Sequence, residues 1–357
     1  MKYRVSIENP NSHTVKVRLI LENVKRDAPL IFFLPTWSPG SYLQRDYSRF
    51  ISNISVVQEN GEPLYFDKIT RSEWKIYWDH LPVTTITSHI EIHYEVYCHE
   101  LTVRTSHITR EHAFLHGPSY LIGAQGYQFQ KNTIEFQFPL SWSTISTSLR
   151  ALPERNKNIY EALNYDTLLD SPVEIGCQSQ DFRLIQGKAH YFATFGESFP
   201  HKNDLLADSE KIISYISEYM GGMPYDHYTV INHFAAGLYG GLEHSDSTGL
   251  HFDGRTLGNR ENYLKYIELL SHEYFHTWNI KRIRPIELGP FDYTKENYTK
   301  LLWLAEGLTS FMDKLFVYQS GLCSLEEYLQ SFLGDIQKYY NTPGRNFDSL
   351  DSSSFDA

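Results

Sequence analysis

The sequence is poor in cysteine and has no long apolar run. Its three cysteines, Cys98, Cys177 and Cys323, are far apart and form no Cys-x-x-Cys pair. A disulfide framework is therefore not expected, and a reducing compartment fits better. No segment approaches the roughly 18 apolar residues that suggest a transmembrane helix, and the N-terminus lacks the apolar core of a signal peptide. We therefore expect a cytoplasmic protein that does not bind a membrane.

Basic residues are also in the minority. The 357 residues include 32 Lys and Arg against 43 Asp and Glu, which gives a formal net charge of -11. Without a long Lys or Arg run, nucleic acid is not an expected partner, nor is an anionic membrane surface. Aromatic residues are abundant instead, at 15%, which suits strands and aromatic-lined clefts. The length allows two or three domains, and no feature of the sequence specifies an oligomeric state.

The first part of the chain has the pattern of β-strands. Residues 15–21 and 88–97 alternate apolar and polar side chains, which is the period of a half-buried strand. Asn60-Gly61 lies between two short apolar segments and is a strong hairpin signal. An Asp-Ser-Pro break begins at Asp170. We predict an α+β multidomain protein, with an N-terminal all-β, sandwich-like domain over residues 1–170 and a mainly helical domain over residues 171–357.

The last third of the chain has the pattern of helices. Apolar residues recur at helical spacing over residues 263–278 and again over residues 298–318. Ser324 followed three residues later by Glu327 has the spacing of a capping box and predicts the start of a third helix. Residues 341–357 are polar and predict a loop.

The motif His272-Glu273-Tyr274-Phe275-His276 lies within the first of these helices. Residues four apart on a helix share one face, so His272 and His276 can present two imidazoles to one metal ion. Glu273 points about 100° away from His272 and would reach a water at that metal. This donor set suits one Zn²⁺ per chain. Because the chain has 16 histidines, the motif alone is only a hypothesis.

Glu306 is the expected third zinc ligand. It lies in an apolar helical segment, where a buried carboxylate without a partner is costly and a metal ion would remove that cost. His272, His276 and Glu306 would then form a His₂Glu site with one position open for water. Glu273 would be the general base, which takes a proton from the attacking water and passes it to the leaving amine.

A glycine-rich stretch precedes the zinc motif and includes Gly240, Gly241 and Glu243. Glycines beside a strand allow a substrate backbone to approach closely and to pair with the strand edge. Glu243 could hold the α-ammonium group of a peptide, which would make the enzyme an aminopeptidase. Two alternatives remain open. The protein could be a zinc endopeptidase in which Glu243 holds no amine, or a zinc-containing peptide-binding protein with weak or no activity.

Together these motifs resemble the glycyl aminopeptidase family of gluzincin zinc metallopeptidases, which is related to aminopeptidase N and to thermolysin-like enzymes. The resemblance rests on residues 240–244, 272–279 and 303–309, and residues 35–42 resemble a signature of that family's N-terminal β domain. It implies a thermolysin-like catalytic domain, zinc, and release of small N-terminal residues such as Gly from peptide substrates. It also implies that Glu243 binds the free amine.

The resemblance further implies additional chain beyond the present C-terminus. Family members usually continue with more catalytic-domain helices, a tyrosine that hydrogen-bonds the tetrahedral oxyanion, and a PDZ domain. Because the sequence stops at Ala357, we expect a catalytic domain that is truncated at its C-terminus. Loss of one oxyanion donor commonly lowers kcat by about 10²–10³, so zinc binding would survive such a truncation better than turnover.

Overall fold

The computed structural model of the chain divides into two compact units. It describes residues 1–26, 28–78, 88–152, 158–196 and 202–357. Unit 1 contains Met1–Gln178 and Asp292–Glu296, and unit 2 contains Ser179–Phe291 and Asn297–Ala357. Among the described residues, no helix combines the length and the apolar character needed to span a membrane.

Unit 1 consists mainly of β-strands, as the alternating pattern predicts. The strands are β1 (Lys2–Ser6), β2 (Thr14–Leu21), β3 (Leu30–Phe33), β4 (Ile51–Gln58), β5 (Phe66–Lys68), β6 (Glu73–Ile76), β7 (Ile90–Tyr97), β8 (His107–Ile108), β9 (His112–Leu115), β10 (Gly123–Ala124), β11 (Asn132–Gln137), β12 (Thr144–Thr147), β13 (Arg150–Ala151), β14 (Ile159–Ala162) and β15 (Val173–Gly176). Two short helices, α1 (Gly117–Tyr120) and α2 (Tyr165–Leu169), lie between them. The sheet orders are β13-β14-β11-β1-β2-β7-β4, β10-β3-β6-β5 and β12-β15-β9-β8.

The alternation along β2 separates a core face from an outer face. Val15, Val17 and Leu19 are at most 2% exposed, whereas Lys16 between them is exposed. Successive side chains of a strand point to opposite faces, so every second residue enters the core. The predicted turn at Asn60-Gly61 is confirmed: the Gly61 N–H donates to the Gln58 carbonyl at 2.9 Å, and Gly61 has a φ of 85°.

A short segment from the second half of the sequence, Asp292–Glu296, belongs to unit 1. The Trp37 indole N–H donates to the Asp292 carbonyl oxygen at 2.8 Å. The Thr36 N–H donates to the Tyr293 carbonyl oxygen, also at 2.8 Å. The rings of Trp37 and Tyr293 stack with their centroids 5.9 Å apart. The loop that contains Trp37 therefore binds this segment by one side-chain hydrogen bond, one backbone hydrogen bond and an aromatic contact.

In the described part of unit 2, one mixed sheet is accompanied by five α-helices. Its elements are β16 (Ser179–Ile185), β17 (Lys188–Gly196), α3 (Lys202–Tyr219), β18 (His227–Phe234), β19 (Tyr239–Glu243), β20 (Ser247–Phe252), α4 (Arg260–Phe275), α5 (Leu308–Gln319), α6 (Leu325–Asn341) and α7 (Leu350–Phe355). The described strands have the order β16-β17-β18-β20-β19, with β17, β18 and β20 parallel. Strand β19 runs antiparallel to β20 at the edge of this sheet.

Helices α3, α4 and α5 each contribute side chains to the core of unit 2. Ile212 and Ile216 of α3, Ile267 and Leu270 of α4, and Phe316 of α5 are fully buried. Full burial of each such side chain contributes about 1.5–3 kcal/mol. The helix that carries the zinc motif is therefore anchored on its apolar side, which leaves its other face to present His272 and Glu273.

Two predictions for the last third of the chain were wrong in detail. The helix predicted over residues 298–318 begins only at residue 302, and it continues without a break through one π-helical turn, Trp303–Gly307, into α5, which starts at Leu308. Apolar spacing does not distinguish a π-turn from an α-helix. Residues 341–357 are not only loop, since they include α7, whose Phe355 ring stacks on Tyr298 at 5.0 Å.

The predicted capping box at the start of α6 is confirmed. The Ser324 N–H donates to Glu327 Oε2 at 2.8 Å, and the Glu327 N–H donates to Ser324 Oγ at 3.2 Å. These two bonds satisfy backbone donors that the first helical turn leaves without intrahelical partners. All residues of α6 are at least partly exposed, so its boundary depends more on the cap than on packing.

Candidate metal centre

Helix α4 places the two histidines of the motif one turn apart. Their Nε2 atoms lie 3.0 Å from each other. The side chain of His276 is 1% exposed and that of His272 is 16% exposed. The helix begins at an Asn259 cap, whose side chain accepts from the Asn262 N–H at 3.2 Å, and it ends directly before His276. The motif therefore lies in the last turn of a capped, well-packed helix.

Acceptors on the far side of each imidazole fix its orientation. His272 Nδ1 lies 2.9 Å from Asp313 Oδ2, and His276 Nδ1 lies 2.8 Å from the Asn279 carbonyl oxygen. A carboxylate and a carbonyl only accept hydrogen bonds, so both Nδ1 atoms carry the proton. The two Nε2 atoms then offer lone pairs, which is the usual arrangement for metal-binding histidines.

Glu306 brings a carboxylate oxygen to the same point. Its Oε2 atom lies 3.4 Å from His272 Nε2 and 3.5 Å from His276 Nε2. The Glu306 side chain is 42% exposed, so the expectation of a buried carboxylate was wrong. Trp303 and Leu304 in the same turn are also more than one third exposed.

These three atoms fit a zinc ion. Ligands about 2.0–2.1 Å from a tetrahedral zinc lie roughly 3.3–3.4 Å from one another. The distances among the two Nε2 atoms and Glu306 Oε2 are 3.0, 3.4 and 3.5 Å. Two imidazole lone pairs and a carboxylate that converge in this way repel one another unless a cation lies between them.

Glu273 lies beside the cluster and is 5% exposed. Strand β19 passes so close to it that a Cβ atom on Gly241 would lie 2.0 Å from Glu273 Oε1. Only glycine therefore fits at position 241 without displacing this carboxylate. Burial raises the pKa of Glu273 to about 7, although His272 and His276 act to lower it. A carboxyl group with such a pKa is suited to accept and return a proton near neutral pH.

Glu243, at the end of β19, is 3% exposed. Its Oε1 atom has no hydrogen-bond partner among the described residues. One ligand atom each of Glu243, Glu273 and His276 lies within 4.8 Å of the other two. A buried carboxylate oxygen without a partner is costly, so a hydrogen-bond donor or a cation at this point would stabilise Glu243. Gly240 has a φ of 154°, within the range that favours glycine.

The electrostatics of the centre favour added positive charge. Burial alone would lower the pKa of His272. Hydrogen bonds to Asp313 and Glu306 have the larger combined effect, so the pKa of His272 is raised well above 6.5. Burial acts to raise the pKa of Glu306, but bonds from His272 and His276 hold it well below its usual range. Either a proton or a metal ion would meet this demand.

The structure also identifies positioning residues that the sequence motifs did not indicate. Asp313 orients His272 and is 5% exposed in α5. An acidic residue on an apolar helical face was the signal that singled out Glu306, and it would have found Asp313 as well. The Asn279 side-chain amide donates to the carbonyl oxygens of Leu304 and Ala305, each at 3.2 Å. Asn279 therefore contacts both His276 and the turn that carries Glu306.

The fold and this cluster can be compared with known protein families. Models of two domains match the chain, the peptidase M61 N-terminal domain over residues 2–177 and the M61 glycyl aminopeptidase over residues 265–357. The chain belongs to the M61 peptidase family. This confirms the family resemblance that was based on the four sequence motifs.

Two solved structures have folds similar to that of this chain. An aminopeptidase N family protein from Idiomarina loihiensis has a TM-score of 0.90 and 27% identity over 99% of this chain and 60% of its own. The present chain thus spans about three fifths of that protein's length. An M1 zinc metallopeptidase from Deinococcus radiodurans has a TM-score of 0.52 and 14% identity, with 90% and 70% covered. No match was found among curated proteins. These likenesses confirm the α+β fold class, with an N-terminal β domain and a mainly helical second part.

Proposed function

We propose that the chain is a zinc-dependent aminopeptidase that removes small N-terminal residues, such as Gly, from peptides. The main support is the buried Glu243 carboxylate oxygen, which lies close to Glu273 and His276 without a hydrogen-bond partner among the described residues. The preference for Gly is supported by the match to the glycyl aminopeptidase model. A mutant of the Deinococcus radiodurans enzyme has been solved with a Tyr-Ser-Ala substrate, which supports short peptides as the substrate class.

His272, His276 and Glu306 would hold the zinc ion, one per chain. When bound, zinc supplies a Lewis acid that polarises the substrate carbonyl and lowers the pKa of a water molecule. Asp313 and the Asn279 carbonyl keep both imidazoles in the tautomer that can bind a metal. The protein thus contributes a rigid donor set that is oriented before the metal arrives.

Glu273 would perform the proton transfers. It accepts a proton from the attacking water and delivers it to the amine of the departing peptide. Its burial against Gly241 keeps it away from bulk solvent. The glycine at position 241 also leaves β19 free of a side chain next to Glu273, so a substrate backbone can lie along this edge of the sheet.

The position of Glu243 favours an exopeptidase. In an amino acid the amine nitrogen lies only about 2.5 Å from the carbonyl carbon, given the standard bond lengths and angle. Glu243, Glu273 and His276 offer ligand atoms within 4.8 Å of one another. An α-ammonium at Glu243 would therefore place the first peptide bond, and not a later one, beside Glu273.

Comparing a peptide with its N-acetylated form tests this proposal. We expect the zinc-loaded protein to hydrolyse triglycine at least about 100-fold faster than N-acetyl-triglycine, because the acetyl group removes the charge that Glu243 binds. Equal rates would indicate the endopeptidase alternative. Peptide binding with one zinc per chain but without hydrolysis would indicate the binding-protein alternative, and absence of zinc binding would refute the proposal.

A further inference from the structure

The turn between β19 and β20 follows Glu243 directly. The side chain of Arg282 forms hydrogen bonds with this turn. Arg282 Nη1 donates to the Ser245 carbonyl oxygen at 3.0 Å. Arg282 Nη2 donates to Asp246 Oδ1 at 2.9 Å. The guanidinium group therefore binds this turn through a backbone carbonyl and a carboxylate, within three residues of Glu243.

The same guanidinium group also binds the chain just after α4, the helix that carries the His272-Glu273 motif. Arg282 Nη1 also donates to the Thr277 carbonyl oxygen at 2.8 Å, and Thr277 is the residue after His276. Arg282 Nη2 makes a further bond to the Pro224 carbonyl oxygen at 3.3 Å. Arg282 Nη1 thus bridges the carbonyl oxygens of Ser245 and Thr277. Ser245 lies two residues after Glu243, and Thr277 lies one residue after His276.

The bridge depends on the geometry of arginine more than on its charge. The Asp246 and Arg282 side chains are 41% and 30% exposed, and ion pairs with this exposure contribute little to stability. The bonds to Ser245 and Thr277 use two N–H groups of one planar fork, which has a fixed spacing. A lysine would bring the same charge without this rigid fork.

We propose that Arg282 is a positioning residue that fixes the separation between the Glu243 carboxylate and the catalytic end of α4, and thereby sets the selectivity for a free N-terminal amine. The inference rests on the proposed function, because it takes Glu243 as the group that binds the amine. The spacing matters because the amine and the scissile carbonyl of the substrate are a fixed distance apart. A misplacement of about 1 Å commonly lowers the rate about 10²-fold.

A matched control lies at the opposite end of the same helix. Arg260 Nη2 donates to the Leu322 carbonyl oxygen at 2.7 Å, and its Nε donates to Glu327 Oε1 at 2.8 Å. Arg260 thus also joins α4 to a neighbouring element through one carbonyl and one carboxylate. It binds the start of α4, while the metal ligands lie at the end. Arg260→Gln removes a comparable bridge without changing the surroundings of Glu243.

The experiment measures binding, so that it does not depend on turnover. Glu273→Gln serves as the common background, and the dissociation constants of triglycine and N-acetyl-triglycine are measured for the zinc-loaded protein. In this background we expect Arg282→Gln to weaken triglycine binding about tenfold and to leave N-acetyl-triglycine binding unchanged. Arg282→Lys should resemble Arg282→Gln, and Arg260→Gln should bind both peptides as the background does. Zinc affinity, measured by competition with a chelator, should stay the same in all variants.

Three results would overturn the inference. One is an unchanged ratio of the two dissociation constants in Arg282→Gln. Another is full recovery of the ratio in Arg282→Lys, because charge alone would then suffice. The third is an equal loss for both peptides with weaker zinc binding, which would indicate a general structural role. If the background protein itself binds both peptides equally, the proposed role of Glu243 fails instead, and the two failures are thereby distinguished.

Discussion

At the level of single residues, the two histidines of the centre owe their orientation to acceptors of different strength. His276 is held by a backbone carbonyl, whereas His272 is held by the carboxylate of Asp313, which is 5% exposed. A carboxylate makes the imidazole a more basic ligand than a neutral acceptor does, and removal of such a partner typically weakens metal binding 10–100-fold.

Asp313→Asn should therefore lower zinc affinity about 10–100-fold while the fold is retained. Chelator competition measures the affinity, and thermal unfolding of the zinc-free protein measures the fold. The matched control is Asp335→Asn, because Asp335 pairs with Lys314 at 3.0 Å beside Asp313 but is 53% exposed. Equal zinc affinity in the Asp313→Asn variant and in the original protein would contradict this role.

Gly241 permits a second test at this level. Gly241→Ala places a Cβ atom 2.0 Å from Glu273 Oε1, so the carboxylate must move. We expect hydrolysis to fall at least about 100-fold while zinc binding is kept, because a general base contributes roughly 10²–10⁴-fold to the rate. Gly334→Ala in α6, where no atom lies within 4 Å of the added Cβ, is the control. Unchanged hydrolysis in Gly241→Ala would show that Glu273 does not act from this position.

The sequence motif predicts the two histidines as candidate ligands because their geometry is local. His272 and His276 share one helix face by spacing alone, and the structure brings Glu306 to the same point. The supporting residues do not follow from local spacing. Asp313 is 41 residues from His272, and Arg282 is 37 residues from Ser245, so these contacts exist only once the helices and the hairpin have packed.

At the level of elements, periodicity predicts helices better than their irregularities. The capping box of α6 and the helix that carries the zinc motif follow from short-range patterns. The π-helical turn Trp303–Gly307 does not, because its residues have the same apolar spacing as the α-helix that follows. Its carbonyls at Leu304 and Ala305 bind the Asn279 side chain, which is a tertiary contact.

The segment Asp292–Glu296 is another element whose position depends on tertiary contacts. Trp37→Phe removes the indole hydrogen bond to Asp292, so amide hydrogen exchange within residues 292–296 should become about fivefold faster, as expected for the loss of about 1 kcal/mol. The control is Trp142→Phe, which removes an indole bond to the Arg110 carbonyl at 3.1 Å elsewhere in unit 1. Equally slow exchange in the Trp37→Phe and control variants would contradict the anchoring role of Trp37.

At the level of the whole molecule, composition and alternation predict an α+β protein with a β-rich first part. The structural relatives confirm this fold class. Composition does not predict that a segment near residue 292 belongs to unit 1. That assignment depends on the hydrogen bonds and the ring contact of Trp37, which join residues more than 250 positions apart.

The pH dependence of stability is also a property of the whole molecule, and buried His190 should contribute to it. Its Nε2 lies 2.9 Å from the Tyr225 hydroxyl, and burial lowers the pKa of His190 from 6.5 to about 4. The folded state thus binds fewer protons than the unfolded state between these values, so stability is lost as the pH falls. We expect the His190 contribution to the free energy of unfolding to fall by roughly 2 kcal/mol between about pH 7 and about pH 5.

Urea denaturation at the two pH values measures this loss. His190→Gln, which cannot titrate, should lose less stability than the original protein over the same interval. His227→Gln, at a partly exposed position of the same sheet, keeps His190 and should lose more stability than His190→Gln does. An identical loss in His190→Gln and in the original protein would show that His190 is not responsible.

The most direct test of the metal centre is Glu273→Gln, measured for both zinc content and hydrolysis of triglycine. Glu273 is not one of the three proposed zinc ligands, which are His272, His276 and Glu306, so we expect the variant to keep one zinc per chain. Its hydrolysis rate should fall about 10²–10⁴-fold, because the amide cannot accept the proton of the attacking water. Hydrolysis at the original rate, or loss of zinc from the variant, would contradict the assignment of Glu273 as the general base beside a separate three-ligand site.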